Sequence, residues 1–289
     1  MATLTDWLEG ARVRTLPAAV SPVLIGTGAA AGAGQASVGR ALLAAGVALA
    51  LQVGVNFAND YSDGVRGTDD VRTGPPRLTG GGKASPRSVK RAALLSLGVG
   101  ALLGAVLVAV SGSWWLLAAG GLALVAAWGY TGGKHPYGYL GLGEVGVFLF
   151  FGLMATLGTT WTQTHALPWT AWAGASGVGL VACALLMVNN IRDIPTDARV
   201  GKTTLAVRLG ERRARLAYAG MVWLPLVLGA LCALESPWAL LVLLLAPWAL
   251  RVSRVVLGGA VGRDLIVVLR DTGLLQLGFG LLLGLGLAL

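Results

Sequence analysis

The sequence predicts an all-α polytopic membrane protein: nine transmembrane helices in one bundle, with caps on the cytoplasmic side, formed by a single domain spanning 1–289. Three observations lead there. Composition comes first, with 55% hydrophobic residues, 12% charged residues and a mean hydropathy of +0.73, which is bilayer chemistry rather than that of a soluble core. Next, nine apolar runs are each long enough, or nearly so, to cross about 30 Å of hydrocarbon at 1.5 Å per residue. Finally, the basic residues alternate between loops.

Taken in order, the first residues contain TDWLEGARVR, which has charge but no apolar core of a cleavable signal. They predict a short interfacial helix with Trp7 and Leu8 set against Arg12 and Arg14. The apolar runs follow near 15–34, 40–58, 88–110, 114–130, 144–162, 169–189, 215–234, 237–256 and 271–289. Many are rich in Gly and Ala, which lets helices approach closely in lipid. With this map every lysine and arginine except Arg40 falls on one side, so the N-terminus faces the cytoplasm and the C-terminus faces out. The net charge of +9 is therefore topological, and no nucleic-acid partner is implied. Trp114, Trp115, Trp161, Trp169 and Trp238 sit near span ends as interfacial anchors. Cys183 and Cys232 lie inside apolar runs and read as small buried hydrophobes.

Two acidic stretches hold six of the 13 acidic residues: Asp60, Asp63, Asp69, Asp70, Asp193 and Asp197. On a helix, Asn56, Asn59, Asp60 and Asp63 share one narrow face. One reading is a capping cluster. The other is an all-oxygen site for Mg²⁺, and the second stretch, Asn189-Asn190-Ile191-Arg192-Asp193-Ile194-Pro195-Thr196-Asp197, favours it. An ionised side chain at membrane depth costs about 2.5–3.5 kcal/mol, so each cluster calls for bound cations. Mg²⁺ prefers one or two carboxylates plus phosphate oxygens and water. Arg66, Arg72, Arg77, Lys83, Arg192, Lys202 and Arg208 stand in the same loops to meet a diphosphate, or serve only to orient the chain. A diphosphate at the cytoplasmic edge of an apolar bundle points to an isoprenoid diphosphate with its tail in the bundle or lipid. Its departure leaves an allylic cation that needs a dry pocket with aromatic faces. Tyr130, Tyr137, Tyr139, Phe148, Phe150 and Phe151 are the candidates. Pro195 is expected to bend or end its helix just before Asp197.

Asn59-Asp60-x-x-Asp63-x-x-x-Gly67-x-Asp69 and Asp193-x-x-x-Asp197 resemble the paired aspartate motifs of the UbiA-type intramembrane prenyltransferases, and the nine-span plan resembles theirs over nearly the whole chain. Gly201-Lys202-Thr203-Thr204-Leu205-Ala206-Val207-Arg208-Leu209-Gly210, Tyr130-Thr131, Pro136 to Glu144 and the Gly74-Pro75 to Arg77 turn are similar to the branch that prenylates 1,4-dihydroxy-2-naphthoate in menaquinone synthesis. Gly67, with Asp69 two residues on, departs from the general first motif and agrees with that branch. The resemblance implies Mg²⁺ held by Asp60, Asp63, Asp69, Asp193 and Asp197, with Tyr139 and Lys134 joining these aspartates (Asp69 apart) in catalysis. It implies substrate contacts from Asn56, Asn59, Arg66, Arg72, Arg77, Lys83, Tyr130, Asn190, Arg192 and Lys202. The partners are a polyprenyl diphosphate, an aromatic acceptor and the bilayer, in a bacterial cell membrane with the site facing the cytoplasm. 4-Hydroxybenzoate, other quinone precursors and a tetrapyrrole are the alternative acceptors. A transporter is the alternative class, although charge there sits nearer the bilayer midplane.

Overall fold

The computed structural model describes residues 2–68 and 77–289, so Asp69, Asp70, Arg72 and the Gly74-Pro75 turn lie outside the described residues. The described residues form helices joined by turns and loops, with no strand among them. Helix α1 (Leu4–Ala11) begins at a capping box, in which the Thr3 hydroxyl accepts from Asp6 N at 3.2 Å and Asp6 accepts from Thr3 N at 2.8 Å. It meets α2 (Leu16–Gly32) at a 50° bend.

Helix α3 (Val38–Arg66) starts at an N-capping Ser37 and ends at Gly67, whose φ of 75° is the left-handed turn that glycine adopts without strain. At 29 residues it is about 44 Å long, more than the hydrocarbon needs, so its last turns carry the first acidic motif beyond the apolar run. Helix α4 (Pro86–Ser111) is capped by Ser85 with Pro86 in its first turn, and α5 (Leu116–Gly129) follows. Helices α6 (Gly143–Val147) and α7 (Ala155–Thr164) are joined through a π-helical segment, Phe148–Met154, into one span. Helix α8 (Trp169–Arg199) carries the second motif on its last turns. After the short α9 (Leu205–Leu209) come α10 (Glu211–Leu231), α11 (Ala246–Leu257), which continues a 3₁₀ stretch from Pro237, and α12 (Arg263–Ala288).

Two expectations change here. Among the described residues seven helices are long and apolar enough to cross a membrane, eight if the bent α1–α2 pair counts as one span. The count of nine is not reached because α5, at 14 residues, extends only about 21 Å. The 114–130 run has the hydropathy of a span, but Trp114 and Trp115 form a turn ahead of the helix. Pro195 does not end α8, which runs on to Arg199; so close to the C-terminus the missing N–H removes one bond from a turn already fraying, and Asp197 stays on the helix, buried.

The bundle has a solid half and a hollow half. In the solid half α8, α10, α11 and α12 bury Val178, Met187, Tyr218, Val252, Leu275 and Phe279 together. The Tyr218 hydroxyl is met by Thr272 Oγ1 at 2.7 Å, so this buried polar tip is satisfied. Helix α12 packs along α2 and α8, closing this half against the rest. In the hollow half α2, α3, α4, α5 and α7 surround a cavity of about 980 Å³.

Candidate active site

The cavity runs along α3 from Ala44 to Asp60, sixteen residues or about 24 Å of helix. Its outer length is lined mostly by Ala, Gly, Val and Leu, with Met154 and with Thr159 and Thr162 of α7, and Tyr130, Tyr137, Phe150 and Phe151 add aromatic faces. Tyr139 and Phe148 do not line it. Phe148 packs instead against Gly179 of α8.

At the mouth the α3 face contributes Asn56, Asn59 and Asp60, all buried. Asn56 donates to Ala11 O at 2.9 Å and to Thr15 Oγ1 at 3.2 Å, which ties α3 to the α1–α2 junction. Asn59 Oδ1 accepts the Thr131 hydroxyl at 2.7 Å. Both Asp60 oxygens accept backbone N–H groups, from Leu78 at 2.9 Å and Thr79 at 2.8 Å, so this carboxylate orders the chain leading to α4. One turn on, buried Asp63 accepts the Tyr139 hydroxyl at 2.8 Å.

Tyr139 is where the two motif regions meet. Its hydroxyl lies on Asp63, and its ring has the Arg66 guanidinium 5.3 Å and the Lys202 ammonium 5.0 Å from its centroid. Its carbonyl accepts both the N–H and the hydroxyl of Thr203, each at 3.0 Å. Lys202 in turn stands 3.7 Å from Asp197. A chain of contacts therefore runs from the first motif to the second through one side chain. Burial, reinforced by the charge of Asp63, pushes the Tyr139 phenol from its usual 10 up to about 12. In the second motif Asp193 receives Arg192 through two bonds, at 2.7 and 2.6 Å, while Arg192 also donates to Asn189 at 2.9 Å. Arg192 and Asn189 line the cavity.

Several expected substrate residues are otherwise engaged. Lys83 lines the cavity, but its ammonium is paired with Asp6 at 2.6 Å and Glu9 at 3.4 Å, and the Asp6 bond raises its pKa. Helix α1 is thus a cap over the mouth. Trp7 lies edge-on to Phe57 at 5.6 Å, and Leu8, Glu9 and Arg12 line the cavity. Asn190 points to α6 and donates to buried Glu144 at 3.1 Å, away from the cavity lining. Lys134 is exposed in the turn after Thr131 and does not line the cavity. Arg66 is held on the outside by the carbonyl of Gly133 and the Tyr139 ring. Arg77 and Tyr130 line the cavity. Residues that the sequence reading did not single out also line it: Gln52 and Arg270. Arg270 had a visible signal, an Arg-Asp pair at the head of an apolar run.

Among the described residues no three His, Cys, Asp or Glu side chains gather into a metal-ligating group. The donor set nevertheless suits Mg²⁺. It is hard oxygen throughout: Asn56, Asn59 and Asp60 line the cavity mouth, while Asp63, Asp193 and Asp197 stand behind the lining, and Mg²⁺ completes its shell with phosphate and water rather than with a closed protein cage.

The chain is 53% identical to the 1,4-dihydroxy-2-naphthoate octaprenyltransferase of Mycobacterium tuberculosis over 277 residues, covering 96% of this chain and 94% of that protein. The fold is similar to the apo structure of a UbiA homolog from Aeropyrum pernix K1, with a TM-score of 0.71 at 17% identity over 93% of this chain and 96% of the other. A UbiA homolog from Archaeoglobus fulgidus, solved bound to DMAPP and Mg²⁺, matches with a TM-score of 0.66 at 13% identity, covering 96% of this chain and 98% of the other. Residues 19–263 match the model of the UbiA prenyltransferase family, and the chain belongs to that family.

Proposed function

We propose that this protein transfers a polyprenyl group from its diphosphate to 1,4-dihydroxy-2-naphthoate with loss of CO₂, as a Mg²⁺-dependent step of menaquinone synthesis. The supporting observation is the cavity itself: an apolar channel about 24 Å long that ends at a mouth of carboxamides, a carboxylate and guanidinium groups. That is the shape and polarity of an amphiphile with a long hydrocarbon tail and an anionic head. The similarity to a named naphthoate octaprenyltransferase over almost the whole of both chains supports the acceptor.

In this reading the protein acts as one domain in a bacterial cell membrane, with the cavity mouth at the cytoplasmic face. Asn56, Asn59 and Asp60 face the diphosphate, with Arg77 and Arg192 against its remaining charge. Asp60, Asp63, Asp193 and Asp197, with Asp69, would hold Mg²⁺, and each of the first four has a fixed orientation from its own partner: backbone N–H groups, Tyr139, Arg192 and Lys202. When bound there, Mg²⁺ would supply charge neutralisation for the departing diphosphate. The allylic C–O bond breaks, and its electron pair leaves with the diphosphate. Tyr130, Tyr137, Phe150 and Phe151 offer ring faces to the cation, and the apolar walls exclude water. An electron-rich dihydroxynaphthoate ring attacks through carbon. The carboxylate then leaves as CO₂, returning its pair to the ring, so no protein nucleophile is required. Asp63→Asn and Asp193→Asn are each expected to lower turnover more than 100-fold while membrane insertion and accumulation stay normal. Full turnover of both variants would sink the reading.

A further inference from the structure

Arg270 belongs to neither aspartate motif, yet it reaches the same cavity from the opposite half of the bundle. Helix α12 packs on α2 and α8, and Ile266, Leu269 and Arg270 line the cavity from it. Arg270 lies seven residues, about 10 Å, inside the first residue of α12, while Asp60 and Asp193 each lie six residues, about 9 Å, inside the last residue of their helices. Tyr139 joins the ends of α3 and α8, and Arg270 lines the same cavity as Asp60 and Arg192, so Arg270 stands at the depth of the motifs.

Its setting differs from that of the other cations at the mouth. Lys83 is taken by Asp6 and Glu9, and Arg192, with 6% of its side chain exposed, by Asp193 and Asn189. Arg270 is steadied by a buried neighbour: its Nε and Nη2 donate to Asp271 Oδ1 at 3.0 and 2.7 Å, and Asp271 is only 7% exposed. Its own side chain remains 61% exposed, and Nη1 makes no hydrogen bond among the described residues. The cavity wall on its own helix is apolar, Ile266 and Leu269, and α8 adds Leu185 together with Asn189 and with Arg192, which is engaged with Asn189 and Asp193. One open guanidinium beside Ile266 and Leu269 does not by itself suit a multiply charged diphosphate, which needs the carboxamides and cations of the motif helices. It does suit a flat ring that bears a single carboxylate.

We propose that Arg270 is the specificity-determining group that binds the carboxylate of the aromatic acceptor, with the ring laid against Ile266 and Leu269. Asp271 holds the guanidinium so that its free edge faces the acceptor, as planar guanidinium–carboxylate recognition requires. This inference rests on the reading of the protein as a prenyltransferase acting on an aromatic carboxylate.

The test is binding of two probes, 1,4-dihydroxy-2-naphthoate and 1,4-dihydroxynaphthalene without its carboxylate, to full-length protein in neutral-lipid nanodiscs. Wild type is expected to prefer the carboxylated probe by roughly 10- to 100-fold, the size of a charge-assisted hydrogen-bonded pair. Arg270→Gln should lose that preference, Arg270→Lys should recover part of it, and neither should change KM for the prenyl diphosphate. Equal weakening of both probes, or a raised KM for the prenyl diphosphate, would overturn the proposal. So would an effect that appears only when anionic lipid replaces neutral lipid, since the guanidinium would then be a lipid-headgroup site. Should Arg270→Gln fail to accumulate, the wild-type preference and Arg270→Lys still decide. A wild type that binds the naphthoate through Arg270 without prenylating it would sink the assigned reaction and leave this site standing. One that prenylates it regardless of residue 270 would do the reverse.

Discussion

Tyr139 joins more of this site than any aspartate does. Its hydroxyl is a donor to Asp63, and with its pKa raised to about 12 by burial and by that carboxylate it remains protonated through physiological pH. The sign follows: the neutral phenol and its bond are fully present below the ordinary value of 10 and are lost only as pH rises through about 12. Tyr139→Phe should therefore lower kcat/KM by about 10-fold or more, the scale of a hydrogen bond to a charged group, without altering the shape of the pH–rate profile between about pH 6 and 9. A shifted alkaline limb would show that Tyr139 itself titrates in the working range. Lys134→Ala should leave the KM of the acceptor unchanged, because that side chain is exposed away from the cavity lining; a raised KM would contradict its placement. At this scale the shared face of Asn56, Asn59, Asp60 and Asp63 was legible from helical spacing alone. The partners were not. Nothing local in the sequence says that Lys83 will meet Asp6, 77 residues away, or that Asn190 will turn to Glu144.

The helices depart from their hydropathy runs for identifiable reasons. Helices α3 and α8 extend past the apolar stretches through Asn, Asp, Ser and Thr, which are weak helix formers; along α3 the tertiary bonds of Asn56, Asn59, Asp60 and Asp63 hold the last turns, and the two extensions carry both motifs. The π-helical Phe148–Met154 segment could not be seen in periodicity; it resets the register so that Phe150, Phe151 and Met154 reach the cavity while Gly152 lies against α8. A Cβ on Gly152 would stand 2.6 Å from Gly179 Cα, backbone against backbone, where neither helix yields without moving. Gly152→Val is expected to cost about 1–3 kcal/mol and to lower the folded protein recovered from membranes. Gly98→Ala, which meets nothing within 4 Å, should be tolerated. Equal recovery of both variants in thermal denaturation would remove this contact from the account.

For the molecule as a whole, the class was legible because composition and loop charge are global quantities, insensitive to any one boundary. The number of crossings was not, because it depends on α5, whose 14 residues fall short of the hydrocarbon thickness. Parity makes this testable. Reporters fused near Gly80 and after Leu289 should be active on the inside and the outside respectively, because Val110 before α5 meets Arg40 at the start of α3 while Thr131 after α5 meets Asn59 near its end; a C-terminal reporter active on the inside would contradict this. The cavity and the motifs at its mouth carry the central claim, and product formation tests it most directly. Purified protein would be given Mg²⁺, a long-chain prenyl diphosphate and carboxyl-labelled 1,4-dihydroxy-2-naphthoate, with 4-hydroxybenzoate in a parallel reaction. The account predicts labelled CO₂, diphosphate and prenylated naphthoquinol in equal amounts, abolished by chelator and restored by Mg²⁺. Prenylated 4-hydroxybenzoate with the naphthoate untouched, or full turnover in EDTA, would contradict it.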